Sequence, residues 1–143
     1  MEWYLKVLRQ YADFNGRARR KEYWMFTLFH MIAAFTTAFI GGLLAEATDG
    51  ASMALYFIYL IGTIIPGLAV TVRRLHDTNK SGWMILVSLI PLIGSIWLLV
   101  LMVTEGDHGP NEYGPDPKEE IPYDQVIDEI GQDPFDRGTQ DPF

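Results

Sequence analysis

Residues 73–81 read Arg73-Arg74-Leu75-His76-Asp77-Thr78-Asn79-Lys80-Ser81 and separate two long apolar segments, 53–72 and 82–103. A helix of about 20 apolar residues is long enough to cross the hydrocarbon core of a bilayer. Two such segments joined by a short cationic connection are typical of a membrane hairpin. The connection, called the hinge below, also holds the densest set of ionisable side chains in the chain.

Uncharged stretches dominate the chain around the hinge. No Asp, Glu, Lys or Arg occurs in 23–45, 50–72 or 81–104. We therefore predict transmembrane helices over 23–44, 53–72 and 82–103. A soluble fold would need three fully buried helices in 143 residues, with little amphipathic sequence left to cover them. The first segment is also longer than a signal-peptide core of about 7–15 residues, which favours an uncleaved helix.

The third apolar segment contains a proline near its middle. Pro91 should kink a helix or end it, because proline lacks the backbone N–H and disturbs the preceding turn. We expect a single kinked span over 82–103. A re-entrant pair of half-helices, broken at 91–94, stays open as the alternative.

The segments before and after the spans have a different character. Residues 3–14 show helical spacing of apolar side chains and predict a short amphipathic helix in the membrane interface, or one packed on the protein's own hairpin. From residue 118 the chain is acidic and poor in apolar residues. The sequence thus predicts an all-α membrane protein: three transmembrane helices preceded by a short amphipathic interfacial helix, in a domain of residues 1–117, with a disordered acidic tail at 118–143.

Charge is distributed unevenly around the net value of −7. Residues 1–22 carry six Lys or Arg against three acids and the hinge carries three against one, whereas 104–143 carry twelve acids against two bases. Because Lys and Arg near span ends prefer the cytoplasmic side, we expect the N-terminus and the hinge in the cytoplasm. Three spans would then place residues 104–143 across the bilayer.

Three short motifs resemble those of a known family. They are Gly16-Arg17-Ala18-Arg19-Arg20-Lys21-Glu22-Tyr23-Trp24, then Arg73-Arg74-Leu75-His76-Asp77 with Ser81-Gly82-Trp83, and then Asn111-Glu112-Tyr113-Gly114-Pro115-Asp116-Pro117. Their order and spacing are similar to those of the domain-of-unknown-function 805 family, which comprises small multi-pass proteins of the bacterial inner membrane. The resemblance implies that location. It carries over no catalytic residue, because the family has no established activity.

Basic residues of the first two motifs form the main candidate site. We predict that they bind an anionic lipid or phosphate, since the planar guanidinium fork can hold two phosphate oxygens. Topology signalling and snorkelling to the headgroups are the alternative. The predicted residues are Arg17, Arg19, Arg20, Lys21, Arg73 and Arg74.

A second candidate polar set comprises His30, His76 and Asp77. His30 lies within a predicted span, where it either bonds a Thr hydroxyl across a helix interface or relays protons. Asp77 is well placed to pair with Arg73, four residues earlier on a helix. No cofactor or metal is expected, because the chain has no cysteine and its three histidines lie in different segments.

These features favour a non-enzymatic inner-membrane protein that binds anionic lipid or a partner through a cytoplasmic arginine cluster. The expected partners are membrane lipids and either a second copy of the chain or another membrane protein, and no nucleic acid. Two alternatives stay open. One is a small transporter or channel subunit that uses His30, and the other is a lipid-headgroup-modifying enzyme that uses His76 or Asp77.

Overall fold

The computed structural model describes residues 2–118, and these are largely helical. The α-helices are α1 (Glu2–Arg9), α2 (Arg20–Leu43), α3 (Ser52–Asp77) and α4 (Ile93–Val103), with 3-10 helices at Glu46–Thr48 and Gly82–Leu89. Within 2–118 the β pairing is limited to an isolated bridge between Asn111 and Gly114. The all-α class is confirmed for this part of the chain. The disordered tail predicted from residue 118 lies, beyond Lys118 itself, outside the described residues.

α2 and α3 form a helical hairpin that is long and apolar enough to cross a membrane twice. They have 24 and 26 residues, which at about 1.5 Å per residue exceeds the roughly 30 Å of hydrocarbon. Large apolar side chains on their outer faces are exposed, such as Phe35 at 73% and Ile61 at 68%. The first two predicted spans are confirmed as helices.

α3 continues through the first half of the hinge and ends at Asp77. Asn79 then adopts a left-handed conformation with φ of 53°. The amide of Lys80 donates to the Leu75 carbonyl at 3.0 Å, and that of Asn79 donates to the His76 carbonyl at 3.0 Å. This is the Schellman arrangement that closes many helices. Arg74, His76 and Asp77 therefore lie on the last turn of α3, and Arg73 lies just before it.

The third apolar segment folds back on itself, so the prediction of a single kinked span over 82–103 is not confirmed. Ile90 is extended, as expected for a residue before proline, and Leu92 has φ of 63°. Together they reverse the chain between Gly82–Leu89 and α4. Gly94 permits the reversal, because a Cβ there would lie 1.8 Å from the Val87 carbonyl oxygen.

Both ends of this folded segment lie beside the end of α3. A Cβ on Gly82 would lie 2.7 Å from Val72 Cγ1, and Arg74 donates to the Thr104 carbonyl. The reversal itself is apolar and exposed, with Leu89 at 77% and Leu92 at 80%. Residues 104–118 consequently return to the hinge, and the third motif does not lie across the molecule from the first two.

α1 packs on the hairpin through its apolar face. Val7 is fully buried in a cluster with Ala18, Phe26 and Val70. The helix ends at Arg9, earlier than the predicted 3–14. Its amphipathic character is confirmed, and the packing is the arrangement named as the alternative to a helix lying free in the interface.

Candidate functional site

The three sequence motifs meet where α2 begins and α3 ends, which we call the hinge end. Five ionisable side chains of the first two motifs are almost completely buried there: Arg17, Glu22, Arg73, Arg74 and Asp77. A buried charge is costly unless it is paired and its remaining donors or acceptors are bonded. The partners of these five side chains therefore decide what the cluster can do.

Asp77 is the acceptor at the centre of the cluster. Its carboxylate accepts a hydrogen bond from Arg17 Nε at 3.0 Å and another from Arg74 Nη1. The expected pair between Asp77 and Arg73 is wrong, because Arg73 points to Glu22 instead. One carboxylate thus serves two guanidinium groups, whose other donors need further acceptors.

Backbone carbonyls of the returning segment supply those acceptors. Arg17 Nη1 donates to the Gly109 carbonyl at 2.6 Å, and its Nη2 donates to the carbonyl of Asp107. Arg74 donates to the Thr104 carbonyl just beyond the end of α4, where a cation is favoured by the helix dipole. The two buried arginines therefore tie residues 104–109 to the end of α3.

Gly106 lies directly against the Asp77 carboxylate. A Cβ on this residue would lie 2.0 Å from Asp77 Oδ2, and the neighbouring Asp107 amide donates to the Asp77 carbonyl at 2.8 Å. The returning backbone passes so close that a side chain does not fit. Sequence reasoning missed Gly106, because a glycine among other turn residues gives no sign of its contact.

A second charged group joins Arg73, Glu22 and Lys6. Arg73 Nη1 lies 3.4 Å from Glu22 Oε1, and Lys6 Nζ lies 2.6 Å from Glu22 Oε2. Arg73 also donates to the Gln10 side chain. Glu22 was not among the predicted site residues, although its place as the last acid before an uncharged stretch of 23 residues was a usable signal.

The third motif packs on His76. The rings of His76 and Tyr113 stack with centroids 3.8 Å apart, and His76 Nδ1 lies 3.1 Å from the Gly16 carbonyl oxygen. Asn111 Nδ2 donates to the His76 carbonyl at 2.9 Å. His76 thus contacts residues of the first and third motifs at once.

Asp116 organises the loop of the third motif. Its carboxylate accepts hydrogen bonds from the Lys118 amide at 2.8 Å and the Gly109 amide at 3.1 Å. The bond from the Lys118 amide is the main cause that lowers the pKa of Asp116, and the Gly109 amide and the nearby Arg17 act in the same direction. The loop is therefore held by a carboxylate that is most stable when ionised.

The six predicted anion-binding residues divide into buried and exposed members. Arg17, Arg73 and Arg74 lie in the buried cluster, while Arg19 is half-buried and donates to the Pro117 carbonyl. Arg20 and Lys21 are exposed and have no hydrogen-bond partner within residues 2–118. The structure thus brings the predicted cluster together and separates it into an inner and an outer part.

His30 lies apart from the hinge end, between α2 and α3. Its Nδ1 lies 2.9 Å from the Tyr59 hydroxyl, which lies 3.3 Å from the hydroxyl of Tyr4. The expected bond across the helix interface is present, but the partner is a tyrosine and not the expected threonine. Across residues 2–118, no group of three or more His, Cys, Asp or Glu side chains is placed to hold a metal ion.

Comparison with known proteins gives consistent matches. The sequence model of one family, described as "Protein of unknown function (DUF805)", matches residues 11–115. The inner membrane protein YhaI of Escherichia coli (strain K12) is 48% identical over 118 residues, which cover 82% of this chain and 97% of YhaI. The inner membrane protein YhaH of the same strain is 47% identical over 118 residues, covering 82% of this chain and 98% of YhaH. No solved structure matches.

Proposed function

This chain belongs to the DUF805 family and is a multi-pass protein of the bacterial inner membrane, and from that premise we propose that it binds anionic phospholipid headgroups at the cytoplasmic surface. The binding residues are exposed cations on α1 and at the start of α2. The buried arginines have a different task in this proposal, which is to hold the returning segment in place.

The orientation follows from the basic residues near the helix ends. Lys and Arg concentrate at the hinge end, on α1, on the first turn of α2 and on the last turn of α3. Such residues prefer the cytoplasmic side of a bacterial inner membrane. In this orientation α2 and α3 cross the bilayer, and 82–103 enters and leaves it as a re-entrant hairpin from the cytoplasmic face.

The observation that carries the proposal is the split between buried and exposed cations. Arg17 and Arg74 have bonds from all three of their guanidinium nitrogens to protein acceptors. By contrast, Arg9, Arg20 and Lys21 are exposed and have no hydrogen-bond partner within 2–118. Arg73 Nε and Nη2 also lack a partner within 2–118, but they are buried. The donors that are both free and exposed to a phosphate therefore lie on the outer part of the cluster.

An apolar and aromatic surface adjoins these free cations. The Trp3 ring lies 5.5 Å from Lys6 Nζ and 5.8 Å from Lys21 Nζ. A cavity of about 700 Å³ on α1 is lined by Trp3, Leu5, Lys6 and Arg9, among others. Tryptophan beside lysine and arginine is the combination that membrane interfaces favour, since the ring lies at headgroup level while the cations reach phosphate. We call the exposed cations Lys6, Arg9, Arg20 and Lys21, together with Trp3, the cationic surface.

The affinity for anionic lipid tests the proposal. Each Lys or Arg near an anionic surface contributes about 1 kcal/mol, so removing two should weaken binding roughly 30-fold. The measurement is the binding of dioctanoyl phosphatidylglycerol to the purified full chain by microscale thermophoresis, with dioctanoyl phosphatidylcholine as the uncharged comparison. The variant is Arg20→Gln with Lys21→Gln.

The matched control removes the same charge elsewhere. Lys80→Gln with Lys118→Gln changes two other exposed lysines and should leave the affinity for phosphatidylglycerol nearly unchanged. Equal losses in the two double variants would mean that net charge alone attracts the lipid, and the proposal would be wrong. No loss in either would also overturn it.

The enzyme alternative has less support from the same geometry. Asp77 accepts from two buried guanidinium groups and has Gly106 against its second oxygen. A general base needs a free oxygen within reach of a substrate proton. This carboxylate serves better as a structural acceptor.

A further inference from the structure

A second cavity lies beside the hinge and is not part of the cationic surface. It has a volume of about 490 Å³ and opens between the end of α3 and the Gly82–Leu89 helix. One part of its wall is apolar and includes Leu68, Val72 and Ile85. The other part is polar and includes His76. Cavities of this size with apolar walls and a few convergent polar groups commonly bind small molecules.

His76 presents a free hydrogen-bond acceptor to this cavity. Its Nδ1 lies 3.1 Å from the Gly16 carbonyl oxygen, which can only accept, so Nδ1 carries the hydrogen. In a neutral imidazole the other nitrogen, Nε2, then has a free lone pair. Nε2 has no hydrogen-bond partner among residues 2–118. A Cβ at position 82 would contact Nε2 at 3.5 Å, so the glycine there leaves this side of the ring open.

The ring is held in a fixed orientation. Tyr113 stacks on it with an interplanar angle of 6°, and Asn111 bonds the His76 backbone carbonyl. Two separate segments, at Gly16 and at 111–113, therefore hold this ring so that it aims one acceptor at an apolar cavity. Such a preorganised acceptor favours a ligand that brings a donor, because the ring loses little freedom on binding.

The charge of the lining decides which donor fits. The described residues that line the cavity include no Asp, Glu, Lys or Arg. An ammonium group would lack a counter-charge there, and a phosphate would lack a cation, whereas an uncharged hydroxyl needs only an acceptor. Leu68 and Val72 continue from His76 along the apolar part of α3 and suit a hydrocarbon chain.

We propose that the hinge cavity binds a lipid alcohol, an acyl-chain amphiphile whose uncharged hydroxyl donates to His76 Nε2 while its chain packs on Leu68, Val72 and Ile85. The cavity and the cationic surface share no lining residue. The two proposals can therefore fail independently.

Trp83 allows a direct test, because it lines the cavity and is 78% exposed. The full chain, with its three other tryptophans at 3, 24 and 97 changed to Phe, is placed in phosphatidylcholine nanodiscs without anionic lipid. Diacylglycerol with brominated acyl chains is titrated in while Trp83 fluorescence is recorded. The same lipid with its hydroxyl acetylated is the comparison, since it quenches by collision equally well but cannot donate. We expect half-maximal quenching at a mole fraction at least fivefold lower for the free alcohol.

Two variants locate the binding. His76→Phe should remove the difference between the two lipids, while His108→Phe, at an exposed histidine, should keep it. Leu68→Phe narrows the cavity without touching His76 and should raise the half-maximal mole fraction of the alcohol. Circular dichroism melting reports whether each variant folds, and Leu68→Phe carries the test if His76→Phe does not.

Nuclear magnetic resonance gives a readout at the proposed acceptor itself. The ¹⁵N shift of His76 Nε2 in the unchanged chain should move with the alcohol and stay with the acetate ester. Equal quenching by the two lipids, a difference that survives in His76→Phe, or an unmoved Nε2 shift would each overturn the proposal. Because no anionic lipid is present, none of these results bears on the cationic surface.

Discussion

The buried charge cluster and the cationic surface contain the same types of residue in opposite environments. Arg17 and Arg74 are buried, and their guanidinium groups donate hydrogen bonds to Asp77 and to backbone carbonyls of the returning segment. Arg20 and Lys21 lie only a few residues from Arg17 in sequence, yet they are exposed and free of partners within 2–118. A cluster of basic residues in a membrane protein can thus combine a buried structural clamp with exposed cations that have no partner within the described residues.

The largest expected effect is all-or-none and concerns topology, that is, which side of the membrane each end of the helical hairpin faces. The chain has no cysteine, so a single introduced cysteine is its only thiol. Glu112→Cys should react with a membrane-impermeant maleimide from the same side of the membrane as Arg9→Cys, and Asp49→Cys from the other side. Labelling of intact cells and of inverted vesicles measures this. If positions 112 and 49 reacted from the same side, the chain would cross the membrane three times. Residues 104–118 would then lie across the membrane from Asp77 and could not contact it.

The next largest effect should come from Asp77→Asn. It leaves Arg17 and Arg74 buried with no charge partner among residues 2–118, and breaking a buried ion pair typically costs about 3–5 kcal/mol. The free energy of unfolding of the purified protein in mixed micelles, titrated with denaturing detergent, reports the loss. Glu105→Gln, which removes an exposed carboxylate paired with Lys118, should change it little. Similar behaviour of the two variants would contradict the distinction between buried and exposed charges.

Gly106→Ala should have a smaller effect on the same clamp. Its methyl group would overlap Asp77 Oδ2, and overpacking of this kind costs about 1–3 kcal/mol. Gly42→Ala is the matched control, because a Cβ there meets nothing within 4 Å and alanine favours a helix. The same unfolding titration compares them. A Gly106→Ala variant as stable as the control would show that the returning backbone does not press on Asp77.

The smallest expected effect is the acid sensitivity of the 111–118 loop. Because its hydrogen bonds lower the pKa of Asp116, the loop gains stability above the ordinary Asp value near 3.9, and loses it as the pH falls through the lower folded pKa. The measurement is the rate of proteolysis within residues 109–116. Unchanged protein should become more readily cleaved as the pH falls below about 4, whereas Asp116→Asn should be equally cleavable at these pH values. Pepsin is suitable because it is active at acid pH. Equal acid sensitivity of the unchanged protein and of Asp116→Asn would contradict the role given to the Asp116 carboxylate.

Much of the architecture could be predicted from local sequence. The two long helices follow from uncharged stretches of more than 20 residues, since only a helix satisfies its own backbone groups in hydrocarbon. The meeting of the first two motifs followed from their places at the ends of α2 and α3. The all-α class and the family resemblance followed from the same residues.

The third segment shows where local sequence was insufficient. Pro91 is compatible with a kink and with a reversal, and a length of 22 apolar residues favoured one span although it also allows two half-helices. The contacts that accompany the reversal are distant in sequence, such as Arg74 with the Thr104 carbonyl and Gly106 against Asp77. No periodicity in the segment itself records them.

The sequence by itself determined that this chain is a helical membrane protein with its basic residues gathered at one end, because hydrophobic length and charge act locally. Only the tertiary structure decided that Arg17 and Arg74 share Asp77, that Glu22 pairs with Arg73, and that the third motif closes on His76. These pairings join residues up to 60 positions apart. Their energy depends on burial and on the placement of every neighbouring acceptor, which exist only once the helices have packed.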